Sequence, residues 1–296
     1  MTDYDVVTVG GGPGGSSAGV FAARYGLDTV VFDRGNAALR RCAYLENYLG
    51  FPAGVDIDTF YELMHAHVEE AGCELVPDMV ESITQGEDDS AFVVETQEGR
   101  SVTADRVIAA AWYDGEYLRP LGGDEMFERH EHDGEEHEHF DPEYADADGR
   151  TPIDGLYVAA PAGQRSVQTI IAAGHGAHVA RCLLEDLRNE EGFSGGVAPH
   201  YDWLRRNSEF SGDWGDRDRW REWYEDEVED DPDIDEERFE ELRERYIDSA
   251  FETRVPDDAV EERSRRGVSR LVETYGAERV LDALDDEEIR EYLEAE

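Results

Sequence analysis

The sequence predicts an α/β protein, a parallel sheet with an attached β-meander followed by an acidic α-helical C-terminal region. Three observations carry this. A β-branched run enters a glycine-rich turn and a small-residue helix at residues 5–19, "DVVTVGGGPGGSSAG". Alternating strand patterns with turn signals follow at residues 73–111. From about Glu190 the composition changes: Ala and Gly fall while Glu, Asp, Arg and Trp rise.

The elements are taken in chain order. "DVVTV" is short and β-branched, the mark of a buried parallel strand. In the turn after it, Gly10 allows the tight bend and Gly12 lets the backbone approach a pyrophosphate. Gly15 and Gly19 let the helix pack close to the sheet. The N–H groups at the start of that helix face the phosphates. "TVVFD", residues 29–33, is the second strand. Its last residue, Asp33, stands where an acid bonds the ribose hydroxyls and disfavours a 2′-phosphate. A glycine loop alone is weak; in the order strand, turn, helix, strand, acid it predicts a dinucleotide site.

"LENYLGFP" at residues 45–52 leads into a helix over 58–72. "CELVPDMVESITQ", "AFVVETQEG" and "RSVTADRVIAAA" are the alternating strands, with turns at "GEDD" and "QEGR". Residues 153–187, "IDGLYVAAPAGQRSVQTIIAAGHGAHVARCLLEDL", supply one more strand and a long helix.

Composition bounds the partners. The chain has 296 residues with 73 acidic against 27 basic side chains, a formal net charge of −46, and no lysine. Such a surface repels nucleic acid and anionic membranes and suits molar salt, so a halophilic protein is expected. "MTDYD" has no basic n-region before an apolar stretch, so no signal peptide is expected. No apolar run approaches the roughly 18 residues of a membrane span. Cys42, Cys73 and Cys182 lie far apart with no CxxC spacing, which fits a reducing cytoplasm and neither a disulfide framework nor a thiolate metal centre.

In order and wording, residues 1–127 and 151–188 resemble the thioredoxin reductase-like FAD-dependent oxidoreductases. These share the glycine loop, an ENYPGFP-like segment, a meander, an ATG-like strand end, a GLYAAGD-like strand and a Q…AAGxGA helix. The resemblance implies a Rossmann-type FAD-binding domain at residues 1–190. It implies that Gly10, Gly12, Pro13, Gly14 and Gly15 hold the pyrophosphate and Asp33 the ribose. Arg34 or Arg41 would meet the adenine end, and Val80 the adenine through its backbone. Asn47 would lie near the isoalloxazine, and Gln168, Thr169 and Ile170 would open the helix facing the flavin N1/O2 side. A helix N-terminus there stabilises the negative charge of a reduced flavin.

The same family inserts an NADPH domain, usually with a redox CxxC, between the two halves. Here residues 128–150, "ERHEHDGEEHEHFDPEYADADGR", stand in that place, too short for a nucleotide domain and without glycine loop or cysteine. They read as a short solvated linker, and the order of residues predicts no metal centre, although His130, His132, His137 and His139 stand among acids. Two flavin-side motifs also depart. The ATG-like end reads Ala110–Ala111–Trp112, and the Gly–Asp pair reads Ala160–Pro161, with neither the carboxylate nor the N–H.

His175 and His178 read as packing residues, and His65 and His67 do not share a helix face. In the C-terminal region, residues 191–296, one stripe holds Phe239, Leu242 and Tyr246. A helix over 267–284 carries Val268, Leu271, Val272 and Tyr275, and a last one carries Ile289, Tyr292 and Leu293. Packing onto the nucleotide domain is expected for them; the alternative is a surface for a protein electron donor or a second copy, which the clustered Trp203, Trp214, Trp220 and Trp223 would suit.

The expected function is a flavin-dependent oxidoreductase that takes electrons from a partner or small substrate. The alternative is a non-catalytic FAD- or ADP-binding module whose helical tail binds a protein. Cys42, in "RRCAYLEN", is the candidate catalytic residue, since Arg40 and Arg41 beside it would favour a thiolate. Its alternative role is a small buried packing residue.

Overall fold

The computed structural model describes residues 3–86, 91–111, 115–132, 135–228 and 234–295. Its centre is a seven-stranded sheet. Strands β1 (Tyr4–Val9), β2 (Thr29–Phe32) and β3 (Glu74–Val76) are parallel neighbours. Their side chains are almost wholly buried in β1 and β2, which explains their unbroken β-branched sequence. Helix α1 (Pro13–Tyr25) makes the first crossover and α2 (Ile57–Glu70) the second. The second begins one residue earlier than the sequence suggests because Asp56 caps it, accepting the Thr59 N–H at 2.9 Å.

The meander is β4 (Val80–Gln85), β5 (Phe92–Thr96) and β6 (Ser101–Ala109). β6 is long enough to serve three partners. Its first half pairs antiparallel with β5, and its far half pairs parallel with β1 and, on the other edge, with β9 (Leu156–Val158). Before β9 come a short helix α3 (Arg119–Gly122) and two strands, β7 (Phe127–His132) and β8 (Glu135–Phe140).

That pair corrects the reading of residues 128–150 as a solvated linker. β7 and β8 form an antiparallel hairpin with Phe127 opposite Phe140 and His130 opposite His137. Phe140 is buried in the main core, edge-on to Phe127 at 6.1 Å, and the Arg119 guanidinium lies 3.8 Å over the Phe127 ring. Glu138 accepts from Arg119 at 2.6 Å and Arg129 at 3.1 Å. Phe140 and the partly buried Phe127 tie the base of the hairpin to the core, which polarity alone does not reveal. The side chains of residues 130–137, and hence most of the histidine motif, lie outside the described residues.

Helix α4 (Thr169–Glu191) covers the other face of the sheet and packs on α1. A Cβ on Gly176 would stand 1.9 Å from the Gly14 carbonyl oxygen, so the two helices touch backbone to backbone. The last turn of α4 roots the C-terminal region. Arg188, buried there, donates to the carbonyls of Val197 and Ala198, both at 2.7 Å, and stacks 3.8 Å over Phe193.

The rest of the chain is β10 (Arg205–Arg206), α5 (Arg217–Glu227), α6 (Glu236–Glu252), β11 (Arg254–Val255), α7 (Asp257–Tyr275), α8 (Ala277–Asp282) and α9 (Asp286–Ala295). α5 and α6 pack through Trp220, Tyr224, Leu242 and Ile247, all buried. The single helix expected over 267–284 is broken by Gly276, whose φ of 84° ends α7 and starts α8. The two later stripes do not go inside: Val268, Leu271, Tyr292 and Leu293 are all exposed. α7 instead meets α2 by charge, with Arg266 and Arg270 on Glu70, while Arg279 of α8 reaches Thr59 at 2.9 Å and Asp56 at 3.1 Å.

Candidate nucleotide site

A cavity of about 410 Å³ opens at the C-terminal ends of β1, β2 and β6. This is the crevice where open α/β sheets bind ligands. Gly10 to Gly14 form one wall, Asp33, Arg34 and Ala37 a second, and Ala110, Ala111, Thr169 and Ala172 a third.

The loop geometry follows from its glycines. Gly10 has φ of 111°, and a Cβ there would press to 2.8 Å on the Ala110 carbonyl oxygen. Gly12 is different. Its φ of −75° and ψ of −178° are open to any residue, and an added Cβ would meet Ala37 Cβ at an ordinary 3.5 Å. No described protein atom requires glycine there, and both residues line the cavity. A side chain at Gly12 would project into that cavity.

Two helices aim their N-termini into this cavity. α1 has Gly12 as N-cap and Pro13 in its first turn, and α4 has Gln168 as N-cap; neither cap is made by a side chain. The first-turn N–H groups and the positive ends of both dipoles are therefore presented to whatever occupies the cavity.

Asp33 follows the end of β2 and is 8% exposed. Its Oδ1 accepts the Gly35 N–H at 3.0 Å, and its Oδ2 lies 3.4 Å from His65 Nε2. The same nitrogen is 3.1 Å from the Gly11 carbonyl oxygen, which only accepts, so Nε2 carries the proton. His65 thus ties the glycine loop to the acid, a role its spacing from His67 did not suggest. Beneath it Tyr61 is buried, its phenol pushed up to about 12 by burial and then by the charge of Asp33. Among the described residues its hydroxyl has no hydrogen-bond partner.

The structure brings the two sequence-distant flavin-side candidates together: Asn47 Nδ2 donates to Gln168 Oε1 at 2.9 Å. Thr169 lines the cavity, with Gln168 and Ile170 beside it on the start of α4. Arg34 lines it too. Gly15 sits just below, its position set by contact with the Gly10 carbonyl oxygen. Val80 and Arg41 are not brought to the cavity wall. Val80 is 1% exposed in the core at the start of β4, and Arg41 is exposed at the end of a short 3-10 turn.

Cys42 follows that turn. It is exposed and lines the cavity, which overturns the packing role. Arg40 beside it is engaged elsewhere, 3.4 Å from Asp58 and 4.2 Å over the Tyr61 ring. Of the two departed motifs, Ala111 and Ala160 line the cavity, Trp112 lies outside the described residues, and Pro161 lines a neighbouring depression.

Residues 4–111 match the family model "Pyridine nucleotide-disulphide oxidoreductase". Over 131 residues the chain is 33% identical to NADPH-dependent thioredoxin reductase 3 of Arabidopsis thaliana, covering 42% of this chain and 24% of that protein. The matched stretch of this chain is thioredoxin reductase-like in sequence. Thioredoxin reductase of Streptomyces coelicolor is 30% identical over 126 residues, covering 41% of this chain and 38% of that one. These matches span well under half of the relatives' own length. In fold, the thioredoxin reductase of Gloeobacter violaceus superposes with a TM-score of 0.51 at 18% identity, covering 69% of this chain and 98% of that one. That likeness is one of fold.

Proposed function

We propose that this chain is an FAD-dependent oxidoreductase whose electrons come from a partner protein or a small substrate. The observation that carries the reading is the convergence of two uncapped helix N-termini and a buried Asp33 on one cavity. The glycine loop and the start of α1 would hold the pyrophosphate, and Asp33, steadied by His65, the ribose. The start of α4, with Asn47 joined to Gln168, would face the flavin ring, where its dipole favours added negative charge. FAD, when bound, supplies the hydride and electron acceptor. Cys42, exposed on the cavity wall, is the side chain we place against a substrate entering there.

The absence of a built-in NADPH site is part of the proposal. It is supported by the hairpin β7–β8, which stands between β6 and β9 where the family inserts its second nucleotide domain. We place the protein in a cytoplasm of high salt, on its charge of −46. No helix among the described residues is long and apolar enough to cross a membrane.

The test is a titration of the protein in molar KCl with FAD and, separately, ADP. Oxidised-flavin absorbance that stays with the protein through gel filtration and bleaches with dithionite supports the reading. Binding of ADP with no retention of FAD would favour the alternative of a nucleotide-binding module without redox chemistry, consistent with Pro161 in place of a carboxylate. Failure to bind either ligand would refute both.

A further inference from the structure

The geometry points to a divalent transition-metal site of the zinc class, built from Asp148, His178 and the buried Cys182 where the loop before β9 meets α4. The loop before β9 and the middle of the helix bring one oxygen, one nitrogen and one sulfur donor within 4.8 Å of one another. His178 Nε2 lies 2.7 Å from Asp148 Oδ1 and 3.7 Å from Cys182 Sγ. A tetrahedral ion with Zn–N of about 2.0–2.1 Å and Zn–S of about 2.3 Å sets its ligand atoms about 3.3–3.6 Å apart. The N···S distance already fits, and the N···O contact opens by about half an ångström when the ion replaces the hydrogen bond.

The site departs from the expectation that His178 packs and that the cysteines form no thiolate metal centre. His178 and Cys182 are four apart and share one helix face. The third donor comes from a turn whose position only the fold decides. That turn is tied down: Asp146 Oδ1 accepts the N–H groups of Asp148 and Arg150, each at 2.9 Å.

The surroundings hold the ligands in place. Asp148 has a second oxygen, Oδ2, which Arg150 holds at 3.1 Å, leaving Oδ1 for the ion. Arg150 is itself fixed by a two-pronged pair to Asp186, both contacts at 2.8 Å, and Asp186 also accepts from the Tyr157 hydroxyl at 2.8 Å. Outer contacts of this kind orient metal ligands and fix their rotamers.

Charge agrees with a divalent ion. A Cys182 thiolate, Asp148, Glu185 and Asp186 would oppose Arg150 and Arg165, leaving two negative charges over. An ion binding there replaces the thiol proton, which leaves to solvent.

Three protein donors leave a fourth position. Two of the ligands, Asp148 and His178, border a surface cavity of about 330 Å³ that Ala147, Arg165, Ile171 and His175 also line. A mixed sulfur, nitrogen and oxygen set with one open position is the pattern of borderline-soft zinc, and cobalt(II) is its spectroscopic stand-in. The open position would hold water, chloride or a substrate oxygen.

The experiment is a Co2+ titration of the full chain in molar KCl, followed by absorbance. One equivalent is expected to give the near-ultraviolet thiolate-to-cobalt band together with visible bands of four-coordinate geometry. Cys182→Ser should abolish the thiolate band and weaken binding at least tenfold. His178→Gln, on an exposed side chain that the fold does not need, should weaken it similarly, with circular dichroism unchanged. Cys42→Ser should leave the cobalt bands and the cobalt affinity as they are. Saturation with no thiolate band, as histidines of the β7–β8 hairpin alone would give, overturns the site. So does a band that survives Cys182→Ser or disappears in Cys42→Ser. FAD binding plays no part in this readout.

Discussion

Gly12 and Gly10 are neighbours in one loop, but the structure gives them opposite reasons to be glycine, and substituting each separates them. In Gly12→Val the backbone keeps an extended conformation open to any residue, and the new Cβ meets Ala37 at an ordinary 3.5 Å. The folding cost is that of a poor N-cap, within about 1 kcal/mol. The branched side chain fills the space in front of the α1 N-terminus. Losing one hydrogen bond to a charged phosphate oxygen costs about 1.5–3 kcal/mol. FAD affinity should therefore fall at least tenfold, and about a hundredfold at ~2.7 kcal/mol. Gly10→Ala reverses the pattern. At φ of 111° a side chain is strained, about 1–2 kcal/mol, and its Cβ presses on the Ala110 carbonyl at 2.8 Å. Displacing that strand end adds about 1–3 kcal/mol. Denaturant unfolding and FAD titration, run on both variants in molar KCl, give the comparison. If Gly12→Val binds FAD like the parent, or unfolds as easily as Gly10→Ala, the cradle has been placed at the wrong residue.

Other outcomes follow from the same structure. In the native state iodoacetamide should label Cys42 alone, and bound FAD should slow it, because Cys42 is exposed on the cavity while Cys73 and Cys182 are buried; Cys42→Ser should keep FAD and lose turnover. Native labelling of Cys73 ahead of Cys42 would contradict this placement. His175 is held near pKa 4, down from 6.5, by burial and then by Arg165. Its neutral form is the folded one, so its contribution is complete above pH 6.5 and is lost as pH falls toward 4. His175→Gln should flatten the stability-versus-pH curve over that window, and an unchanged slope there would refute the assignment. Stability should also fall steeply as KCl is lowered, because the screening distance grows from about 3 Å at 1 M to about 10 Å at 0.1 M while the surface carries a net −46. A chain equally stable in dilute buffer would show that its acids do not repel one another.

What the sequence determined by itself was mostly local and periodic. The unbroken β-branched runs gave buried parallel strands, the alternating ones gave the meander, and the glycine spacing with Asp33 gave the loop that lines the cavity. These are legible because period and turn chemistry act within a few residues. The tertiary structure decided what depends on distant segments meeting. It joined Asn47 to Gln168 and set His65 between Gly11 and Asp33. It buried the side chain of Val80, at the start of β4, in the main core. It also tied the base of the acidic hairpin to the core through Phe127 and Phe140, and it left the stripes of α7 and α9 exposed although their spacing matches the buried stripe of α6. Amphipathic spacing shows that a helix has an apolar face. Which surface covers that face depends on where the rest of the chain ends up in space, which no short stretch of sequence specifies.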